Sequence, residues 1–138
     1  MSGIDLSGSV ALVTGASRGI GAVIACRLAE AGVKVGVNYL SSRESAEKVV
    51  STITKAGGEA ILVAGDVAQE DVAKSAVQQV VDQWERIDIL VNNAGINRDR
   101  LLLRMKSEDW DEVIQVDLRG AFLCTRFVMP HLIKQRSG

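Results

Sequence analysis

Short apolar runs alternate along the chain with longer stretches in which apolar positions recur every three or four residues. The runs are β-rich and predict strands over Ala11–Thr14, Val33–Tyr39, Ala60–Ala64 and Ile87–Asn92. The longer stretches predict helices over Gly19–Ala31, Ser42–Ala56, Gln69–Trp84 and Glu108–Gln135. Gly32 and the Gly57-Gly58 pair follow the first two helices, where C-terminal caps belong. The strand runs LVT, VGV, ILVA and DILV are nearly continuous in apolar residues, as strands covered on both faces are. Four strand–helix units in a row predict an α/β fold, a Rossmann-type doubly wound parallel sheet with helices on both faces. Right-handed crossovers in that scheme give about four strands in the order 3-2-1-4. The first two helices then cover one face and the third covers the other. The order reverses between the first and fourth strands, so a ligand crevice is expected beyond their carboxyl ends.

Two loops leave the sheet at that crevice, TGASRGIG (14–21) and NNAGINRD (92–99). A helix N-terminus carries unpaired N–H groups and partial positive charge, which a phosphate or pyrophosphate satisfies. In the first loop Gly15 allows a tight turn out of the strand, and Gly19 lets a ligand approach the backbone. Gly21 is expected to let the helix pack closely on the sheet. The spacing is GxxxGxG rather than GxGxxG. The same letters also spell GxSxG, the strand–turn–helix elbow of a serine hydrolase, with Ser17 as nucleophile and His131 as the one available histidine base. Against that reading, the elbow would follow the first strand, Gly21 would have no role, and His131 follows Pro130 deep in the last helix.

Composition narrows the class. With 138 residues and no linker or repeat, residues 1–138 read as one domain. A net charge of −1 offers no basic surface for nucleic acid or an anionic membrane. No apolar stretch has the length of a membrane span, and MSGIDLSGSV lacks the form of a secretory signal, so a cytoplasmic location is expected. Cys26, Cys124 and His131 show no CxxC or HExxH spacing, so nothing marks a zinc site, and both cysteines are expected as buried thiols.

TGASRGIG at 14–21, Asp66-Val67 after the third strand and NNAG at 92–95 together resemble the short-chain dehydrogenases/reductases. The stretch NNAGINRDRLLLRMKSEDWDEVI is more narrowly similar to the 3-oxoacyl-(acyl-carrier-protein) reductase branch of fatty acid biosynthesis. The resemblance covers the whole chain. It implies an oxidoreductase fold in which Thr14, Gly15, Ser17, Arg18, Gly19, Ile20 and Gly21 cradle dinucleotide phosphates. It further implies that Asp66 accepts from the adenine amino group and that Val67 lies against the ring. Tyr39 belongs to the cofactor set at the end of the second strand. Asn92 and Asn93 stabilise the fourth strand and its loop, and Ala94 and Gly95 lie near the cofactor ribose. Asp66 read alone could equally be a helix cap.

Cofactor choice follows from charge. NAD-binding sites of this kind place a carboxylate at the end of the second strand to hold the ribose 2′-hydroxyl. Here that region reads VNYLSSR (37–43), without a carboxylate, while Arg18 sits within the phosphate loop and Arg43, Ser41 and Ser42 lie nearby. A 2′-phosphate would meet a guanidinium, so NADP(H) is expected over NAD(H).

The resemblance also implies a catalytic Ser and a Tyr-x-x-x-Lys pair. The one tyrosine, Tyr39, is followed four residues later by Arg43, so the pair is not among these residues. The chain is therefore expected to be the NADP-binding part of such a reductase and inactive by itself. The remaining catalytic element of the family is an Asn in the long helix, and here that position holds Asp117. Asp117 is expected on the apolar stripe of Val113, Ile114, Ala121 and Cys124, where a carboxylate needs a partner or a raised pKa. It is either a residual proton-relay residue or a non-catalytic one. The fourth strand is expected at an open sheet edge and the last helix incompletely covered, which predicts a homo-oligomer. Lys134 and Arg136 resemble a docking surface for an acidic acyl carrier protein, or simply complement the helix dipole. A structural module that has lost nucleotide binding is the rival from another class.

Overall fold

The computed structural model describes residues 5–138. Four strands, β1 (Val10–Val13), β2 (Lys34–Tyr39), β3 (Ala60–Ala64) and β4 (Ile89–Val91), form one parallel sheet in the order β3-β2-β1-β4. Helices α1 (Gly19–Glu30), α2 (Arg43–Lys55) and α3 (Glu70–Trp84) supply the crossovers. A 3₁₀ turn at Leu102–Arg104 then leads to α4 (Ser107–Val113) and α5 (Gly120–Gln135). The expected single helix over 108–135 is instead two α-helical parts joined by a π-helical turn, Ile114–Arg119. Strand β4 is shorter at both ends than the apolar run at 87–92.

The period of two along each strand builds two cores. Val10 and Leu12 of β1 pack with Val63, Val77, Val80, Leu123 and Val128 under α3 and α5. Ala11 and Val13 pack with Val35, Val37, Ala46 and Ile53 under α1 and α2. Each fully buried aliphatic side chain contributes about 1.5–3 kcal/mol. Gly36 is required by this packing, since a Cβ there would lie 2.7 Å from Val80 Cγ2 and 3.3 Å from Leu12 Cδ1. Helix α3 can approach β2 closely only because that position is bare. The thiol of Cys124 is buried, and desolvation pushes its pKa up to about 11. Cys26 is only half-buried, contrary to expectation, and lines a cavity between α1 and α2.

Asp88 fastens the amino ends of β1 and β4. Its carboxylate accepts from the Val10 N–H at 2.9 Å, from Arg86 and from the Gln135 amide, while its own N–H donates to the Val10 carbonyl. Gln135 closes the circuit by bonding both the N–H and the carbonyl of Ile87, which ties the end of α5 to the entry of β4. Among the described residues, no helix is long and apolar enough to cross a membrane.

Two outcomes follow. Gly36→Ala should lower unfolding free energy by about 1–3 kcal/mol through overpacking, seen as a lower urea midpoint with an unchanged m-value. The hydrogen bond from Arg86, aided by the Val10 N–H and opposed by burial, holds the Asp88 carboxyl below its usual range. Its stabilisation is therefore present above the ordinary carboxylate pKa of about 4 and is lost as pH falls through the lower folded value. Asp88→Asn should be less stable than the unaltered chain at pH 7, and the gap should shrink in denaturation curves taken at pH 3.

Candidate functional site

At the carboxyl ends of the strands, three buried or half-buried side chains join the loops into one unit. Thr14 ends β1 with 1% of its surface exposed. Its hydroxyl donates to the Val91 carbonyl at 3.3 Å and accepts from the N–H groups of Asn93 and Ala94, each at 3.0 Å. The Asn93 side chain donates in return to the carbonyls of Thr14 and Gly15, at 3.1 and 2.9 Å. On the other side of β1, Asn38 accepts from the Gly15 N–H at 3.2 Å and donates to the carbonyls of Val63 and Gly65 at 3.0 and 3.1 Å. No buried side-chain nitrogen or oxygen among the described residues is left without a partner, as buried polar groups require.

The glycine loop is shaped by these contacts. Gly15 has φ +59°, and a Cβ there would lie 2.9 Å from the Ala94 Cα. A Cβ at Gly21 would lie 2.4 Å from Asn93 Nδ2 and 2.5 Å from the Gly15 carbonyl oxygen. The expectation that Gly21 serves helix-on-sheet packing is thus corrected: its bareness admits the loop carbonyl and the Asn93 amide. Gly19, at φ +58°, faces open space. The N–H groups of Gly19, Ile20 and Gly21 have no protein acceptor among the described residues, and no side chain caps α1. Arg18 is exposed with no carboxylate partner among the described residues, Ile20 is 75% exposed, and Ser17 is half-buried. An open helix N-terminus beside a free guanidinium is a site for an anion.

A crevice of about 340 Å³ opens beside this loop. Of the residues singled out from sequence, Gly15, Asp66, Val67 and Ala94 line it, together with Asn38, Leu40, Ile96, Gln115 and Val116. Asp66 spends one carboxylate oxygen on an Asx turn, accepting from the Ala68 N–H at 3.0 Å. It does not cap α3, whose N-cap is Gln69. Tyr39 is 5% exposed in the core under α1 and α2, so its ring lies away from the crevice, and its hydroxyl accepts from Arg43 at 3.0 Å. Arg43 also pairs with Glu47 at 2.8 Å, so its guanidinium is already engaged.

The two asparagines of NNAG divide their work. Asn93 holds the glycine loop, whereas Asn92 turns to the opposite side and donates to Thr125 of α5 at 3.2 Å. Gly95 is exposed, and a Cβ there would lie 3.3 Å from Asp117 Oδ1. Asp117 is exposed rather than set in the apolar stripe, because the π-helical turn carrying it rephases the helix surface. Its partner is the Ile96 N–H, which donates to it at 2.8 Å. The same loop is held by Arg98, which makes a two-pronged ion pair with Glu112 of α4.

No hydrogen bond joins Ser17 to His131 among the described residues. His131 lies about 16 Å along α5 from Gly120, which itself sits against Val67 and Ala68 at the crevice. The elbow reading therefore has no base within reach. Asn38 went unnoticed in the sequence as a site residue; its signal was a lone amide at the carboxyl end of an apolar strand.

With this geometry in place, the comparisons are informative. The family described as short chain dehydrogenase matches residues 9–138. The chain is 53% identical over 133 residues to a 3-oxoacyl-(acyl-carrier-protein) reductase of Synechocystis sp., covering 96% of this chain and 54% of that protein. It is 50% identical over 128 residues to the corresponding FabG reductase of Staphylococcus epidermidis, covering 93% of this chain and 52% of that one. A short chain dehydrogenase from Burkholderia cenocepacia, solved in complex with NADP, superposes with a TM-score of 0.88 at 40% identity over 91% of this chain and 51% of its own. A dehydrogenase/reductase from Sinorhizobium meliloti gives 0.90, also at 40% identity, over 92% and 50%. The chain spans about half the length of the curated relatives it matches. It belongs to the short chain dehydrogenase family.

Proposed function

We propose that residues 1–138 are the NADP(H)-binding part of a reductase acting on a β-keto thioester, of the 3-oxoacyl-(acyl-carrier-protein) reductase kind. The observation that carries this reading is the open N-terminus of α1 beside Arg18, which has no carboxylate partner among the described residues, with no carboxylate at the end of β2. The residues fit the group: three free N–H groups for the pyrophosphate, a guanidinium for the 2′-phosphate, and an Asp66–Val67 wall for adenine. The relatives' names and the NADP complex of a structural neighbour support it. When bound, NADPH supplies hydride to the keto carbon.

The chain's own residues bind and orient. The Asn93 and Thr14 contacts hold Ala94 against the glycine loop, where the ribose side of the ligand would pass. Tyr39 is buried against Arg43, and no Tyr-x-x-x-Lys pair occurs in the chain, so these residues offer no general acid for the carbonyl oxygen. Asp117 acts here on the loop, through Ile96, rather than on a reacting atom. Lys134 and Arg136 lie at the end of α5 near Asp88, about 24 Å along the helix from the crevice. That placement weighs against them as the dock for a thioester that reacts in the crevice.

Self-association belongs to the same reading. Leu118, Phe122, Met129 and Ile133 are exposed, by 63%, 58%, 42% and 67%, and recur along one side of the π turn and α5. An exposed apolar stripe of this kind, interrupted by Thr125, is an association surface. Its cover in this proposal is the same stripe of a second copy.

Calorimetric titration should show saturable NADPH binding by the 138-residue chain and much weaker NADH binding. Arg18→Ala should weaken NADPH at least tenfold and leave NADH within about twofold; equal affinities throughout would contradict the NADP assignment. Mixed with NADPH and a β-keto thioester, the chain alone should show no turnover above buffer. Light scattering should find an oligomer at micromolar concentration, and Phe122→Glu should shift it toward monomer.

A further inference from the structure

The crevice has two walls from different crossovers, and one side chain joins them. The phosphate wall is the turn at Gly15, and the adenine wall is the turn at Gly65-Asp66. Both turns hold glycines at positive φ, +59° and +131°. Such turns have little intrinsic preference for one shape, so something must fix it. Asn38 lies between them, 2% exposed, in the last turn-facing position of β2.

Its carboxamide orientation is settled by its partners. Gly15 presents an N–H and therefore faces the oxygen; Val63 and Gly65 present carbonyls and therefore face the nitrogen. The backbone repeats the link, with the Ala16 N–H donating to the Asn38 carbonyl and the Gly65 N–H donating to the Tyr39 carbonyl, each at 2.8 Å. The two amide hydrogens and the one lone pair that the side chain uses are all spent on backbone, none on another side chain. No other residue among the described ones bonds both turns through its side chain.

We infer that Asn38 is a positioning residue that sets the separation of the phosphate and adenine walls, so that the two halves of a dinucleotide bind as one ligand. This rests on the cofactor reading above. A ligand whose halves are joined gains affinity only if both subsites stand at the matching distance before it arrives. Loss of the Asn38 amide would let the Gly15 and Gly65 turns move apart. Each half-site would persist, and their coupling would not.

The readout that separates positioning from simple stability is a ratio of affinities. A variant that merely unfolds part of the population weakens every ligand by the same factor, because apparent affinity scales with the competent fraction. A variant that uncouples the walls weakens the spanning ligand alone. The experiment titrates NADPH and adenosine, which has no phosphate to reach Arg18 or the glycine turn, into the unaltered chain, Asn38→Leu and Asn38→Ser. The expected result is at least a tenfold loss for NADPH and under threefold for adenosine in both variants. Asn38→Ser keeps a small polar group and room for water, so it provides the comparison if Asn38→Leu does not fold. Equal losses for the two ligands, or NADPH affinity within twofold of the unaltered chain, would overturn the inference while leaving the cofactor reading intact. If the unaltered chain bound neither ligand, the cofactor reading would fall and this inference with it.

Discussion

The strand ends of a parallel sheet pose a problem that the rest of this structure depends on solving. Four strands leave the ladder at one end of the sheet, and their backbone groups lose their strand partners together. Water could satisfy them, but the turns must also lie close enough to build a site. Thr14, Asn38 and Asn93 supply missing partners from within, binding carbonyls and N–H groups at the ends of β1, β3 and β4. Each buried group left unpaired would cost about 1–3 kcal/mol, so the arrangement is strongly specified. The bare Gly15 and Gly21 make it geometrically possible, since side chains at either would strike the Ala94 backbone or the Gly15 carbonyl and the Asn93 amide.

That solution leaves the first N–H groups of α1 unserved. The Asn93 amide is aimed at the carbonyls of Thr14 and Gly15, not at the helix amides, and Arg18 at the N-cap has no acceptor to offer. The positive end of the helix dipole therefore faces outward beside a guanidinium. The contrast between two arginines is instructive. Arg43 is held by Tyr39 and Glu47, so its charge is largely balanced within α2's first turns. Arg18 has no such neighbour among the described residues, and an arriving anion would find its charge available.

Much of this was legible in the sequence because it rests on local periodicity. Apolar runs separated by helical stripes were enough for the strand order, since crossover handedness leaves few alternatives. The glycine spacing marked the turn into α1 because Gly15 and Gly19 report their own backbone needs, both at positive φ. What stayed hidden depended on pairings between distant segments. Nothing in NNAG says that Asn93 faces β1 while Asn92 faces Thr125; that follows from how β4 twists out of the sheet. Tyr39 looked available at the end of β2, yet the alternation of the strand turns it into the core with Val35 and Val37. Asp117 looked buried on a regular helical wheel, and the π turn moved it to the surface.

The π turn also explains how a carboxylate can stand where it does. Widening the helix over Ile114–Arg119 lets Gln115 and Val116 line the crevice while Asp117 reaches the backbone of the neighbouring loop. With Arg98 paired to Glu112, the segment after NNAG is held at two points by the same helical unit. The crevice is thus bounded on three sides by elements fixed to one another: the glycine turn through Asn93, the β3 turn through Asn38, and the β4 loop through Asp117. A ligand meeting all three would find them already in place, and the ordering cost of binding would have been met during folding. Affinity in such a site is a property of the hydrogen bonds beneath it as much as of the groups that touch the ligand.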